Sequence, residues 1–402
     1  MLEDVLRYYL DESHATACLS VAGGTAEHAV TAMGGVIDLQ GTPLTNPHAL
    51  YDLASLTKLF TGLAVMRLRE EGLLDLSRPV TAYAPQFAEL SGVTVDQVLG
   101  FEVPLITPER VDTQKSPEEG LRQLFAIRPG DATNRAYSDM HAMVLKYVIE
   151  GAAEQPYMEV LQQRILTPLG MEETYQPVPE ERRKDCISFD REHRIERGRY
   201  ILREGIAPGM PHDPKARVLW PEPCGHTGLF SSLPDMIRFC QGVLRGDVVS
   251  RDSLRSMARN RTGYRREDGT WSQFLGSQCY LKHPDQYFSE IPVYESPQAI
   301  GISGFTGHHL SIDPELGVFA LFLGNRVLDR LTVLIPEPGK SLTDYGLNPD
   351  GTGQIDWPDG TRLWSSVNFA HHRDAHFHAS LASAIGLRAW QPPAGCEWPS
   401  AR

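Results

Sequence analysis

No two of the six cysteines (Cys18, Cys186, Cys224, Cys240, Cys279, Cys396) form a Cys-x-x-Cys pair. That spacing supports neither a metal knuckle nor a disulfide framework, and reduced thiols of a cytoplasmic protein are expected. Long apolar runs are also missing, so no segment is expected to span a bilayer. The opening Met-Leu-Glu-Asp-Val-Leu-Arg reads as an amphipathic helix and shows no basic stretch followed by an apolar one. No secretory signal is therefore visible, and a cytoplasmic location is expected. Positive charge is in deficit, with 38 Lys and Arg against 51 Asp and Glu and a formal net charge of -13. A surface of that sign argues against nucleic acid or an anionic membrane as partner. Repeats and low-complexity tracts are absent. At 402 residues of ordinary globular composition, the chain can bury one large core or two subdomains.

Strand character concentrates at the two ends. Residues 17–22 and 28–33 read as strands with Gly23-Gly24 as the turn between them, and 309–313 and 318–323 read as a late strand pair around Pro314-Glu-Leu-Gly317. Helical periodicity covers 59–74, 140–154, 157–165, 234–244 and 367–384, with a charged, proline-rich connection over 176–222. This pattern predicts an α+β fold: an antiparallel sheet built from both termini, flanked by helices, with a mainly helical insertion. The predicted division is a sheet region of 1–60 plus 255–402 and a helical region of 61–254.

The most informative stretch is Tyr51-Asp-Leu-Ala-Ser-Leu-Thr-Lys58. Ser55 and Lys58 stand three apart at the start of a helix that is apolar nearly all round, so both fall on one face. A buried lysine needs a reason. An amine beside a hydroxyl can take its proton, and the free N–H groups of a helix N-terminus can hold an oxyanion. Ser-x-x-Lys alone also occurs by chance. Downstream, Tyr137-Ser138-Asp139 precedes an apolar helix and could bring a phenol to the pair. Gly301-Ile-Ser-Gly304-Phe-Thr-Gly307 precedes the late strands and could let substrate approach backbone amides.

Together these motifs resemble the serine β-lactamase and penicillin-binding-protein family, on its class C and esterase side. Arg128-Pro-Gly130 through Tyr137-Ser-Asp139, Ile165 to Thr174, and Gly301 to Arg326 resemble its later blocks, and Gly225 to Ser232 resembles a structural segment. The resemblance implies a β-lactamase/transpeptidase-like fold. It implies Ser55 as acylated nucleophile, with Lys58 and Tyr137 sharing the proton. It further implies an oxyanion hole from the Ser55 and Phe305 amides, and Asp139 orienting Lys58 or substrate. No cofactor or metal is implied.

Two departures stand out. Aligning the third motif places Ile302-Ser303-Gly304 where a cation, a hydroxyl and glycine are usual, and these three are expected to bind substrate. Losing a charge-assisted contact at 302 costs roughly 1.5–3 kcal/mol, so efficient β-lactam hydrolysis is not expected. Gly225-His-Thr-Gly228 looks superficially better but is followed by no strand pair. The 99–104 stretch, Leu-Gly-Phe-Glu-Val-Pro, is also idiosyncratic. Residues 327–365 have no counterpart and are expected to form a lid or side wall over the acyl pocket. His371, His372, His376 and His378 are expected on a solvated terminal helix rather than around a metal. By strand alternation, one of His308 and His309 is expected to face the site.

The expected activity is a serine acyl-enzyme hydrolase acting on an ester or amide. One alternative is a transacylase passing the acyl group to an amine or alcohol. Another is a non-catalytic ligand-binding relative.

Overall fold

The computed structural model describes residues 2–131, 136–286, 289–370 and 372–387. In chain order, the elements that build the site begin with α1 (Leu2–Arg7), β1 (Cys18–Thr25), β2 (Ala29–Gly35), α2 (Thr57–Glu70) and α3 (Asp139–Ala153). Next come β3 (Glu192–Glu196), β4 (Arg199–Arg203), α4 (Pro214–Leu219) and α5 (Leu233–Arg245). The C-terminal part adds β5 (Ile300–Gly304), β6 (His308–Asp313), β7 (Val318–Gly324), β8 (Arg330–Ile335), β9 (Gln354–Asp356), β10 (Arg362–Ser365) and α6 (Ala379–Ala384).

The central sheet runs β2-β1-β7-β6-β5, antiparallel throughout, and so joins strands from the two ends of the chain. Both of its faces are covered, which is why β7 is apolar at every position but its terminal glycine. Leu19, Val21, Ala320 and Phe322 pack against Val5 and Tyr9 on one side and Phe377 and Leu381 on the same face. Their neighbours Cys18, Ala22, Phe319, Leu321 and Leu323 turn to the larger core with Phe239 and Val243 of α5. Each large side chain buried this way contributes about 1.5–3 kcal/mol.

The predicted turn at Gly23-Gly24 is instead mid-strand, since β1 runs to Thr25. A Cβ at Gly23 would lie 2.4 Å from Leu381 Cδ2, so glycine here serves the close approach of α6 rather than a reversal. Helix α5 matches its local signals: Ser232 caps it by accepting from Asp235 N–H, and Gly246 ends it at φ 82°.

A second sheet, ordered β9-β10-β8-β3-β4, brings together two regions far apart in sequence. Parallel to β8 lie both β3 and β10, while β3–β4 and β9–β10 are antiparallel hairpins. The β3–β4 turn is the pair Arg197 (φ 50°) and Gly198 (φ 79°), a two-residue reversal suited to the twist of a hairpin. This hairpin falls within the stretch expected to be irregular. Residues 327–365, expected as a lid or side wall, line no part of the cavity beside Ser55 among the described residues. Their strands back the hairpin instead: Ile195 packs with Leu331, Ile355 and Leu363, and Tyr200 meets the Trp357 ring edge-on with centroids 5.0 Å apart.

The terminal helix is shorter than expected, and His371 and Cys396 lie outside the described residues. The remaining histidines pack rather than face solvent on one helix. His376 stacks on Tyr8 at 3.4 Å, and His378 is buried edge-on to His309 at 5.0 Å. The other five cysteines are free and buried. No described helix is long and apolar enough to cross a membrane.

Candidate active site

Ser55 sits in a short helical turn, Ala54–Leu56, that runs directly into α2. Asp52, fully buried, fixes this turn: its carboxylate accepts from Ala54 N–H at 3.0 Å and from His212 N–H at 2.6 Å. The turn holds Ala54 at φ 46°, a left-handed conformation that costs a non-glycine residue of order 1–3 kcal/mol. Strain of that size at the residue before Ser55 persists only because Asp52 and the packing of α2 over-determine it.

Lys58 is 0 % exposed, and its ammonium has three partners at tetrahedral valence. It donates to Ser55 Oγ at 2.9 Å and to the His226 carbonyl at 3.2 Å, and it pairs with Asp139 at 2.8 Å. The opening turn of α3 supplies Asp139, and Ser138 caps that helix by accepting from Met140 N–H. Asp139 also takes Lys215 at 3.0 Å, and Lys215 lies 3.7 Å from Asp213. Asp213 in turn accepts from the Lys215 and Ala216 N–H groups as the cap of α4 and meets His226 Nε2 at 3.2 Å. Burial opposes ionisation of Asp139, but Lys58, His226 and Lys215 override it and hold the carboxyl well below its usual range. Burial likewise opposes charge on Lys215, yet Asp139 and Asp213 raise its pKa. The result is a partly buried chain of alternating charges leading away from the serine.

Tyr137 is held by Gln273, whose side-chain oxygen accepts from the Tyr137 N–H at 3.0 Å, and by Tyr280 stacked at 5.0 Å. The expected Lys58–phenol contact takes another form. The Lys58 ammonium lies 4.8 Å from the ring centroid, over its face, and the hydroxyl is buried without a hydrogen bond of regular geometry. Burial, then the negative charge of Asp139, push the phenol well above its ordinary pKa, with only the neighbouring Ser55 hydroxyl acting the other way. Burial and Asp139 thus favour the protonated phenol.

Ser55 and Tyr137 open onto a cavity of about 320 Å³, which Phe305 and Thr306 also line. Among the described residues no hydrogen bond occupies the Ser55 or Phe305 amide. Phe305 is set between His212, stacked at 5.4 Å, and the Arg326 guanidinium at 5.0 Å. The expected substrate-binding residues just before it are placed otherwise. Ile302 is buried in the main core. Ser303 faces the opposite way and bonds Glu290 at 2.5 Å and Arg373 at 2.6 Å. Gly304 has no room for a side chain, since a Cβ would lie 2.9 Å from the Leu53 carbonyl. None of the three lines the cavity. The same holds for both histidines of β6: His308 contacts the Asp52 carbonyl at 2.6 Å and His309 contacts Ser303 at 3.2 Å. In the 99–104 loop, Phe101 packs behind Tyr137 at 5.6 Å.

Asp213 and Lys215 escaped sequence reasoning, and His226 and Thr227 were set aside with the Gly225–Gly228 stretch. Asp213-Pro214 is a readable helix start, but its convergence on Asp139 is a tertiary fact. Ligand atoms of Asp139, Asp213 and His226 lie within 4.8 Å of one another, a spacing open to a metal ion. Two ammoniums already neutralise Asp139, so a further cation there would meet like charge.

Against this geometry, the Beta-lactamase family description matches residues 6–332, and the chain belongs to that family. A protein of Salmonella enteritidis PT4 named "Putative D-alanyl-D-alanine carboxypeptidase" is 27% identical over 332 residues, covering 76% of this chain and 75% of its own. Among solved structures, EstCE1, described as a hydrolase with promiscuous acyltransferase activity, aligns with TM-score 0.62 at 19% identity, covering 81% of this chain and 92% of its own. The octameric penicillin-binding protein homologue from Pyrococcus abyssi aligns with TM-score 0.60 at 21% identity, covering 81% and 74%. Simvastatin synthase from Aspergillus terreus gives TM-score 0.60 at 16% identity, covering 80% and 90%.

Proposed function

We propose that this protein is a serine acyl-enzyme hydrolase or acyltransferase acting on a small ester or amide. The observation that carries the reading is the buried Lys58 amine at 2.9 Å from the Ser55 hydroxyl, at the edge of a cavity. Ser55 Oγ attacks the carbonyl carbon while its proton passes to Lys58. With all three protons present, Lys58 donates to Ser55, so acceptance requires that one proton first leave the Lys58–Asp139–Lys215 group. The new ammonium is then held by Asp139. The carbonyl oxygen, now an anion, is taken by the Ser55 and Phe305 amides. Tyr137, neutral and next to Ser55, hands a proton to the leaving group as the carbonyl re-forms and the old bond breaks. Water or an acceptor then attacks the acyl-serine and gives its proton to the Tyr137 phenolate, while Lys58 returns its proton to Ser55 Oγ as the ester bond to Ser55 breaks.

Transfer to an amine or alcohol is a second reading. A further cavity of about 710 Å³ is lined by Tyr280, the residue stacked on Tyr137, and offers space for a second reactant. Intact-protein mass spectrometry after incubation with activated esters, amides and a penicillin tests the proposal. A mass gain equal to the acyl group, absent in Ser55→Ala, is expected; no gain with any member of the panel contradicts it. Product that forms only when an amine or alcohol is added marks a transferase.

A further inference from the structure

Strand alternation puts Glu192, Arg194 and Glu196 on one face of β3, and the register adds Arg199, Ile201 and Arg203 of β4 to that face. The opposite face holds His193, Ile195 and Tyr200, which pack on the second sheet. Arg194 and Arg203 line the Ser55 cavity together with Arg110, Asp112, Asp139, Asp213 and Lys215.

Two of these guanidiniums, Arg194 and Arg203, are incompletely matched. Arg110 is held by both oxygens of Asp112, at 3.0 and 2.6 Å. Arg203 and Arg194 depend on Glu192, at 3.4 and 3.6 Å, with Glu196 a further partner of Arg194 at 3.3 Å. Glu192 is itself fully buried and already shared with Thr332 at 2.6 Å and His212 at 3.1 Å. Four residues that line the cavity each hold a buried polar atom with no hydrogen bond of regular geometry among the described residues: Tyr137 Oη, Arg194 Nε, His212 Nε2 and Thr227 Oγ1. Arg194 and Arg203 thus hold their carboxylates only at long range, which leaves guanidinium capacity for a further anion, and unpaired buried donors are costly.

We propose that Arg194, Arg203 and Arg110 form a subsite for an oxyanion group, a carboxylate or phosphate, carried by the substrate whose carbonyl lies at Ser55. The planar guanidinium fork suits either group. Cationic recognition thus sits on the hairpin wall, while position 302 carries none. The proposal rests on the acyl-enzyme reading of Ser55.

The test compares phenyl acetate, 3-acetoxybenzoate and 3-acetoxyphenyl phosphate on the full chain, each rate normalised to hydroxide-catalysed hydrolysis. At least one anionic ester is expected to exceed phenyl acetate about tenfold in kcat/KM, through KM. The larger of the two ratios assigns carboxylate or phosphate. The double variant Arg194→Gln/Arg203→Gln is expected to bring the ratio toward one. Because Arg203 also partners buried Glu192, the wild-type ratio, which needs no variant, is decisive: equal kcat/KM for all three esters overturns the subsite. Calorimetry of 3-acetoxybenzoate and phenyl acetate binding to Ser55→Ala separates the two readings. Anion-selective binding without turnover by the wild type supports the subsite and removes the acyl-enzyme. Turnover without selectivity does the reverse.

Discussion

On the Ser55 side of the cavity every charge has a near partner: Lys58 and Lys215 flank Asp139, and Asp213 answers His226. On the β3–β4 side, Arg194 and Arg203 share one buried carboxylate at longer range, and an arginine nitrogen is left without a hydrogen bond. The first wall is closed on itself and fits a proton relay, which must be complete before substrate arrives. The second is open and fits recognition, which a ligand completes. Their supports differ too. Helices α2 and α3, rooted in the main core, carry the first, whereas a hairpin backed by a separate sheet carries the second.

That contrast breaks first at Ser55 and its relay. Ser55→Ala is expected to lower turnover by about 10⁴-fold or more in a steady-state ester assay, with Tm little changed. Lys58→Ala is expected to remove both the relay and a buried ion-pair partner, costing roughly 3–5 kcal/mol in urea unfolding as well as activity. Tyr137→Phe keeps the ring beneath the ammonium and removes only the hydroxyl, so kcat should fall about 10²–10⁴-fold while stability holds. The wall is tested from behind. Trp357→Ala loosens the packing under β3 and β4, and is expected to raise KM for charged esters several-fold while fluorophosphonate labelling of Ser55 keeps its rate. Equal loss of both would erase the distinction between the walls.

A further effect concerns pH and needs no substitution. Burial drives His308 and His309 down to about 4. Between about pH 6.5 and 4 the unfolded chain binds protons there that the folded chain refuses. Their contribution is therefore complete above 6.5 and lost as pH falls through that window, by roughly 1–3 kcal/mol per histidine in chemical denaturation at stepped pH.

The Ser55–Lys58 contact was legible in sequence because helix spacing is local and needed only the i, i+3 rule. The sheet joining both ends followed from apolar runs such as 318–323. The second sheet was not legible. Its β3 pairs in parallel with a strand beginning at Arg330, and its charged alternation (Glu-His-Arg-Ile-Glu) looks like a solvated loop. Gly225 to Gly228 was set aside for lack of a following strand pair, yet it delivers the carbonyl that holds Lys58 and the Thr227 hydroxyl that lines the cavity. Ile302 shows the reverse error: alignment placed it at the substrate, but strand alternation turns it into the core.

The central claim is that the Ser55 hydroxyl is activated by the amine beside it. Peptide mapping after brief exposure to a fluorophosphonate tests it most directly. The account predicts a single adduct, on the peptide carrying Ser55, whose rate of formation collapses in Lys58→Ala protein shown to be folded. An adduct elsewhere, or equal labelling of Ser55 without the Lys58 amine, would contradict it.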